Sequence, residues 1–217
     1  MTPPPIDRRA FLRFTALALL PGGAAACSSL IPGSGAPPQL YVLMRKTTFP
    51  PDLPRVSRQL LVDVPVAPAE IDTARIALTR SPTTIDYFAN AAWSDRAPAM
   101  VQSLLIESFE QTGKITSVAR DSAVLRADYI LMPELRRFEA RYQNGESPPT
   151  VLVRLLVRLV KMPERTIIGE DIAEGRETAP ANTMDAIVET YNEALGSVMK
   201  RLVTWTLRSM SQDSGIG

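Results

Sequence analysis

Ser197 and Lys200 stand three residues apart in Ser197-Val198-Met199-Lys200, the spacing of a Ser–Lys pair in which the amine would activate the hydroxyl. The Ser-Asp-Asn and Lys-Thr-Gly segments that usually accompany such a pair are absent. The four residues also fall inside a long amphipathic stretch, where that spacing is ordinary helix-surface chance. Glu170, Asp171, Glu174 and Glu177 form an acidic cluster without the spacing of a calcium loop, and they read as a solvated strand end. The chain has no histidine, which removes the commonest general base and metal ligand. It has one cysteine, so neither an internal disulfide nor a thiolate zinc cluster can form. No Gly-x-x-x-x-Gly-Lys phosphate loop is present. The parts of an active site are missing, and we expect no catalysis, no cofactor and no resident metal.

The remaining reactive group is the lone thiol of Cys27, in Gly23-Ala24-Ala25-Ala26-Cys27-Ser28. Upstream lie Arg8, Arg9 and Arg13, then the short apolar run Phe14–Leu20, then Pro21-Gly22-Gly23. A basic start, a brief apolar middle and small residues before a cut make an export signal. Arg8, Arg9, Phe11 and Leu12 resemble the twin-arginine export pattern, with Arg13 in place of its lysine; a general secretory signal is the alternative. Ala25, Ala26 and Cys27 resemble a bacterial lipobox, with Ala24 in place of the usual leucine. The expected chemistry of Cys27 is a thioether to lipid, and several acyl chains would hold the chain firmly in a membrane. By analogy with bacterial sorting, Ser28 directs it to the periplasmic face of the outer membrane rather than the inner one.

These marks divide the chain into a signal peptide (1–26), a tether (27–38), a folded domain (39–210) and a disordered tail (211–217). The tether is rich in Pro, Gly and Ser, which pack no core. A mature chain of about 190 residues suits one domain. Twenty-four basic and 23 acidic residues give a net charge of +1, and aromatic residues are 6%. That balance argues against a nucleic-acid partner, which needs a basic face or stacking platforms. The longest apolar stretch of the domain, Val151–Val160, is too short to span a bilayer and is broken by Arg154 and Arg158.

Strands are expected at Gln39–Met44, Gln59–Val64, Arg75–Thr79, Thr84–Phe88, Lys114–Val118 and within Ala127–Ala140, where Pro133 suggests an edge or a bulge. Arg75–Thr79 and Thr84–Phe88 suit a hairpin. Arg96–Thr112 reads as a helix, capped by Ser94 or Asp95 and ended by Gly113. Thr150–Lys161 fits a helix or a strand; four valines and a hairpin partner at Thr166–Ile172 favour the strand. Val151, Val153, Leu155, Val157 and Leu159 would then face the core, with Arg154 and Arg158 on the opposite face beside Leu152, Leu156 and Val160. Two arginines on an apolar face suit either a half-covered sheet surface or a partner surface. Asn182–Met210 is the longest helix, with Met184, Val188, Tyr191, Leu195, Val198, Leu202 and Trp205 along one seam. The seam reads first as a helix lying across the sheet; a partner helix in a homo-oligomer is the alternative. The order of elements predicts an α+β fold: a mixed, largely antiparallel sheet with two main helices on one face.

Tyr87-Phe88-Ala89-Asn90-Ala91-Ala92-Trp93-Ser94-Asp95 runs directly into the first helix, followed by Gly113–Val118, Ala127–Leu131, the Val-rich strand and a C-terminal helix with Trp205. This order, behind a lipoprotein leader, resembles the ABC-type transport auxiliary lipoproteins, the PqiC-like family of Gram-negative envelopes. The resemblance implies a periplasm-facing accessory subunit that docks with an MCE-type substrate-binding protein and an ABC permease and ATPase, in a system moving phospholipid or other hydrophobic molecules. Tyr87 and Trp93 match the family's recurrent stretch and stand, with Arg154 and Arg158, as candidates for a partner surface; core packing at a strand–helix junction is the alternative for the aromatics. Two other functions remain open to the sequence: a structural or assembly lipoprotein of another envelope machine, and a lipid binder acting alone.

Overall fold

The computed structural model describes residues 37–120, 126–143 and 148–214. The export and lipidation residues Arg8, Arg9, Phe11, Leu12 and Cys27 lie outside the described residues. Among the described residues, the unit that starts at Pro37 carries eight strands and two helices. In order they are β1 (Gln39–Tyr41), β2 (Val56–Val62), β3 (Arg75–Ser81), β4 (Thr84–Trp93), α1 (Ala97–Thr112), β5 (Ile115–Ala119), β6 (Tyr129–Arg141), β7 (Thr150–Lys161), β8 (Thr166–Thr178) and α2 (Met184–Ser214).

β6 is the hub of the sheet. One edge pairs along its whole length with β7, antiparallel, and β7 pairs likewise with β8. The other edge is shared. β2 runs parallel to the N-terminal part of β6, with Leu60 opposite Tyr129, and β3 runs parallel to its C-terminal end, with Leu78 opposite Ala140. β5 extends the β2 branch, and the β3–β4 hairpin with β1 extends the other. The α+β class and mixed sheet agree with the sequence reading. The long ladders are antiparallel, whereas the branch pairings onto β6 are short and parallel.

Pro133 explains where the branches part. Asp63 N–H donates to the Leu131 carbonyl at 3.0 Å, and Val66 N–H to the Pro133 carbonyl at 3.0 Å. The regular ladder between them would need an N–H at Pro133, which proline lacks. The β2 chain therefore bulges across Val64-Pro65 and rejoins β6 at Val66, which bridges Glu134. The proline marks a bulge opposite an interior strand, not an edge.

Both helices cover one face. Gly113 ends α1 with φ 58°, as expected for a left-handed cap. Its start corrects the sequence reading: neither Ser94 nor Asp95 is the cap. Arg96 holds that position without a side-chain bond, because the Ala97 N–H donates to the Thr73 carbonyl at 3.0 Å and Pro98 has no N–H to satisfy. α2 lies across β7 and β8. Tyr191, Leu195, Val198 and Leu202 of its seam are buried against the protein's own sheet, the first of the two arrangements expected. Its far end is tied down at Asp213, which accepts from the Tyr129 hydroxyl at 2.6 Å and pairs with Lys161 at 2.9 Å. The Tyr129 hydrogen bond, then the Lys161 ammonium, hold the Asp213 carboxyl below its ordinary pKa. Among the described residues no helix is long and apolar enough to cross a membrane.

The inward side of β7 (Val151, Val153, Leu155, Val157, Leu159) is fully buried beneath the helices. At the centre, Trp93 of β4, Phe138 of β6 and Tyr191 of α2 form a ring cluster with centroid separations of 5.0 to 5.6 Å, joining three elements distant in sequence.

Candidate functional site

Strand alternation splits the candidate residues between two faces. On β7, Arg154 and Arg158 project away from the helices, as expected, and the cross-strand register gives their neighbours. Arg154 lies between Arg137 and Glu174, and Arg158 between Met132 and Glu170. Arg154 Nε is 3.1 Å from Glu174, which also accepts from Arg176 at 3.0 Å. Arg158 Nε is 2.7 Å from Glu170, and its guanidinium is 3.7 Å from Glu134, whose second partner is Arg136 at 2.8 Å. The Arg136 hydrogen bond holds the Glu134 carboxyl below the usual carboxylate range, against a smaller opposing effect of burial. All these pairs are partly solvated, so they fix side-chain positions more than they stabilise the fold.

Beneath the charges, Leu152, Leu156 and Val160 alternate along β7 and are buried although no helix covers them. Their cross-strand neighbours are Glu139 and Arg176 for Leu152, Glu134 and Ile172 for Leu156, and Ile130 and Ile167 for Val160. At one end the cover is incomplete. Met132, in register with Arg158, is 43% exposed; Ile167, in register with Val160, is 57% exposed; Val66, bridged to Glu134, is 72% exposed. The result is an outer sheet face with aliphatic side chains set between fixed charges of both signs. Such a face can offer a partner apolar contact and several orienting ion pairs. The alternation of β7 signalled Arg154 and Arg158; Met132, Ile167 and Val66 were missed because the register that gathers them is not local.

The acidic cluster is not a cluster in space. Glu170 and Glu174 belong to the outer face, whereas Asp171 turns to the helix side and takes a two-pronged bond from Arg201 at 2.8 and 3.1 Å. Ser197 and Lys200 are exposed on α2 and line an open groove of about 660 Å³ with Pro50, Trp205 and Arg208.

The two aromatic candidates separate. Trp93 is 1% exposed inside the ring cluster, so it offers no surface to a partner, and the expectation is corrected in favour of core packing. The physical reason is position: as the last residue of β4, before α1, its side chain points under the helix layer. Tyr87 is part-buried, donates from its hydroxyl to the Glu70 carbonyl at 3.0 Å, and has the Arg75 guanidinium 3.5 Å above its ring. It braces the loop after β2.

Residues 41–203 match the family model of the ABC-type transport auxiliary lipoprotein component. A crystal structure of a protein from Xanthomonas campestris is 31% identical, with a TM-score of 0.76 over 82% of this chain and 99% of that one. A second crystal structure, of an uncharacterised protein, is 16% identical with a TM-score of 0.54 over 84% of this chain and all of the other, and shares the fold. An uncharacterised protein of Bradyrhizobium diazoefficiens is 29% identical over 177 residues, 81% of this chain; the chain spans about half (47%) of that relative's length. With a family match that runs from Tyr41, the last residue of β1, to Val203 within α2, and a close structural likeness to the Xanthomonas protein, the chain belongs to the ABC-type transport auxiliary lipoprotein components.

Proposed function

We propose that this chain is a periplasm-facing lipoprotein, acylated at Cys27 and held in the outer membrane, that serves as a docking subunit of an MCE-type ABC transporter moving phospholipid or other hydrophobic molecules. The observation that carries the reading is the match of residues 41–203 to a family of transport auxiliary components. The geometry fits docking better than carriage or turnover. The space between sheet and helices is filled by side chains such as Val153, Leu155 and Leu202, all fully buried. The concavities of about 470 and 660 Å³ are open to solvent and carry charged residues such as Arg80, Glu139, Asp171 and Arg201 in their lining, whereas a site that buries most of an acyl chain is enclosed. The outer face around Arg154 and Arg158 is the surface we assign to the transporter partner.

Two tests separate the anchor from the docking face. Cys27→Ser is expected to move the chain from the membrane fraction to the soluble periplasm, while the wild type takes up labelled palmitate. A variant that stays membrane-bound, with no label on the wild type, would sink the anchor assignment. Replacing Met132 and Ile167 together by glutamate is expected to cut recovery of the transporter subunits at least about tenfold, as loss of a buried apolar contact should. The melting temperature should stay put, because both side chains are exposed. Undiminished recovery would remove this face from the account.

A further inference from the structure

A second concavity, of about 470 Å³, opens where the β3–β4 turn overhangs the C-terminal end of β6. It owes its shape to the parallel pairing of Thr79 with Arg141 and to the Tyr142 N–H, which donates to the Thr79 carbonyl at 2.8 Å. Its lining brings together Arg80, Arg137 and Arg141, against the single carboxylate of Glu139. Glu139 is 2% exposed and works as a bracket. Its Oε1 accepts from Arg141 at 2.8 Å, and its Oε2 is 3.9 Å from Arg137. One buried carboxylate therefore holds two guanidiniums at fixed positions on one strand face, at residues spaced by two on either side of it. Arg80 comes from the other strand, its guanidinium 5.4 Å from the centre of the Tyr142 ring; its partner Asp86, at 3.5 Å, sits in solvent.

Three guanidiniums face one carboxylate in the described lining, an excess of positive charge that Asp86, outside the lining, offsets only in part. Burying Glu139 in place of an apolar residue is costly, and the cost is offset only while its arginines stay paired. The arrangement suits a ligand that brings the missing negative charge and accepts several N–H donors at once. A phosphoryl group does both, carrying up to two charges on three oxygens that match guanidinium forks. The cavity has room for more than a bare phosphate ion.

We propose that this concavity is a binding site for the phosphoryl group of a phosphate ester, with Arg80 and Arg141 as its principal donors and Glu139 as a positioning residue. The site adjoins the docking face, since Arg137 lies in register with Arg154, but it stands whether or not the docking reading holds. The phosphoryl group can come from a soluble phosphate or from a lipid headgroup, and titration calorimetry on the full chain in a maltoside detergent tells them apart. The probes are inorganic phosphate and dihexanoyl phosphatidic acid. Saturable heat from both identifies a site open to free phosphate, and saturable heat from the lipid alone identifies a headgroup site. In either case Arg80→Gln is expected to weaken binding about tenfold, the loss of one charge-assisted contact. Because Arg80 does not hold Glu139, this variant should keep its melting temperature; Arg141→Gln, which exposes Glu139 to loss of its closest partner, is the harsher second variant. No saturable heat from either probe, or equal affinity in Arg80→Gln and wild type, overturns the proposal.

Discussion

Alanine at Gly175 is expected to destabilise the domain by about 3 kcal/mol or more, lowering its melting temperature by roughly 6–12 °C. A Cβ built on Gly175 would stand 2.2 Å from the carbonyl oxygen of Ala194 and 2.8 Å from its carbonyl carbon. Those are backbone atoms of α2, a 31-residue helix, so no side chain can swing aside. The helix itself would have to lift from β8, and it carries Tyr191, Leu195 and Val198, all buried against the sheet. Lifting it opens gaps along both neighbouring turns, each costing dispersion and transfer energy. Gly196 provides the control. A Cβ there meets only the end of the Lys46 side chain, at 3.5 Å, and alanine is the better helix former by about 1 kcal/mol. Gly196→Ala should therefore leave the melting temperature unchanged or raise it. Equal behaviour of the two variants by thermal unfolding would contradict the close seating of α2 on β8.

Trp93→Ala is expected to cost about 3–5 kcal/mol, the usual penalty for deleting a large buried aromatic. The ring lies 5.0 Å from Tyr191, edge-on, and 5.6 Å from Phe138. Its removal leaves those two rings without their shared neighbour and deletes a ring contact between β4 and α2. The Tyr191 hydroxyl makes only a long bond, 3.4 Å, to the Ala77 carbonyl, and burial pushes its pKa well above the ordinary tyrosine value. The cluster is thus held by ring packing more than by hydrogen bonds. Trp93→Phe should fall between wild type and alanine. Chemical denaturation checks this directly. A loss below about 0.5 kcal/mol, the range of ordinary surface substitutions, together with lost partner recovery, would restore Trp93 to a partner surface.

The elements that were legible in the sequence are those with local signals. β7 spans the residues expected, because its inward valines and leucines alternate without interruption and prolines bound it on both sides. α1 and its glycine cap follow from one amphipathic turn pattern. The seam of α2 was legible as a face, and its occupant became clear only when β7 and β8 were seen beneath it. What local signals do not carry is non-local pairing. Nothing near Pro133 announces that β2 and β3 share one edge of β6, so the parallel branches were unforeseen. The same gap explains the sites. Arg154 and Arg158 showed in the alternation of a single strand. Met132, Ile167 and Val66 join them only through register across three pairings. Arg137, Glu139 and Arg141 do alternate on β6, but Arg80 reaches them from a strand some sixty residues earlier, and no periodicity reports that. Trp93 was left between a partner surface and core packing at a strand–helix junction, and its burial in the ring cluster decides for the core.

We propose that this domain docks onto an MCE-type ABC transporter. Affinity purification of the full chain from an envelope solubilised in mild detergent tests it most directly, with bound proteins identified by mass spectrometry. The expected result is recovery of an MCE-type protein together with a permease and an ATPase, and loss of all three when Met132 and Ile167 are both replaced by glutamate. Recovery of a secretion or appendage complex in their place, or of no transporter subunit under conditions that keep a known transporter complex intact, would contradict it.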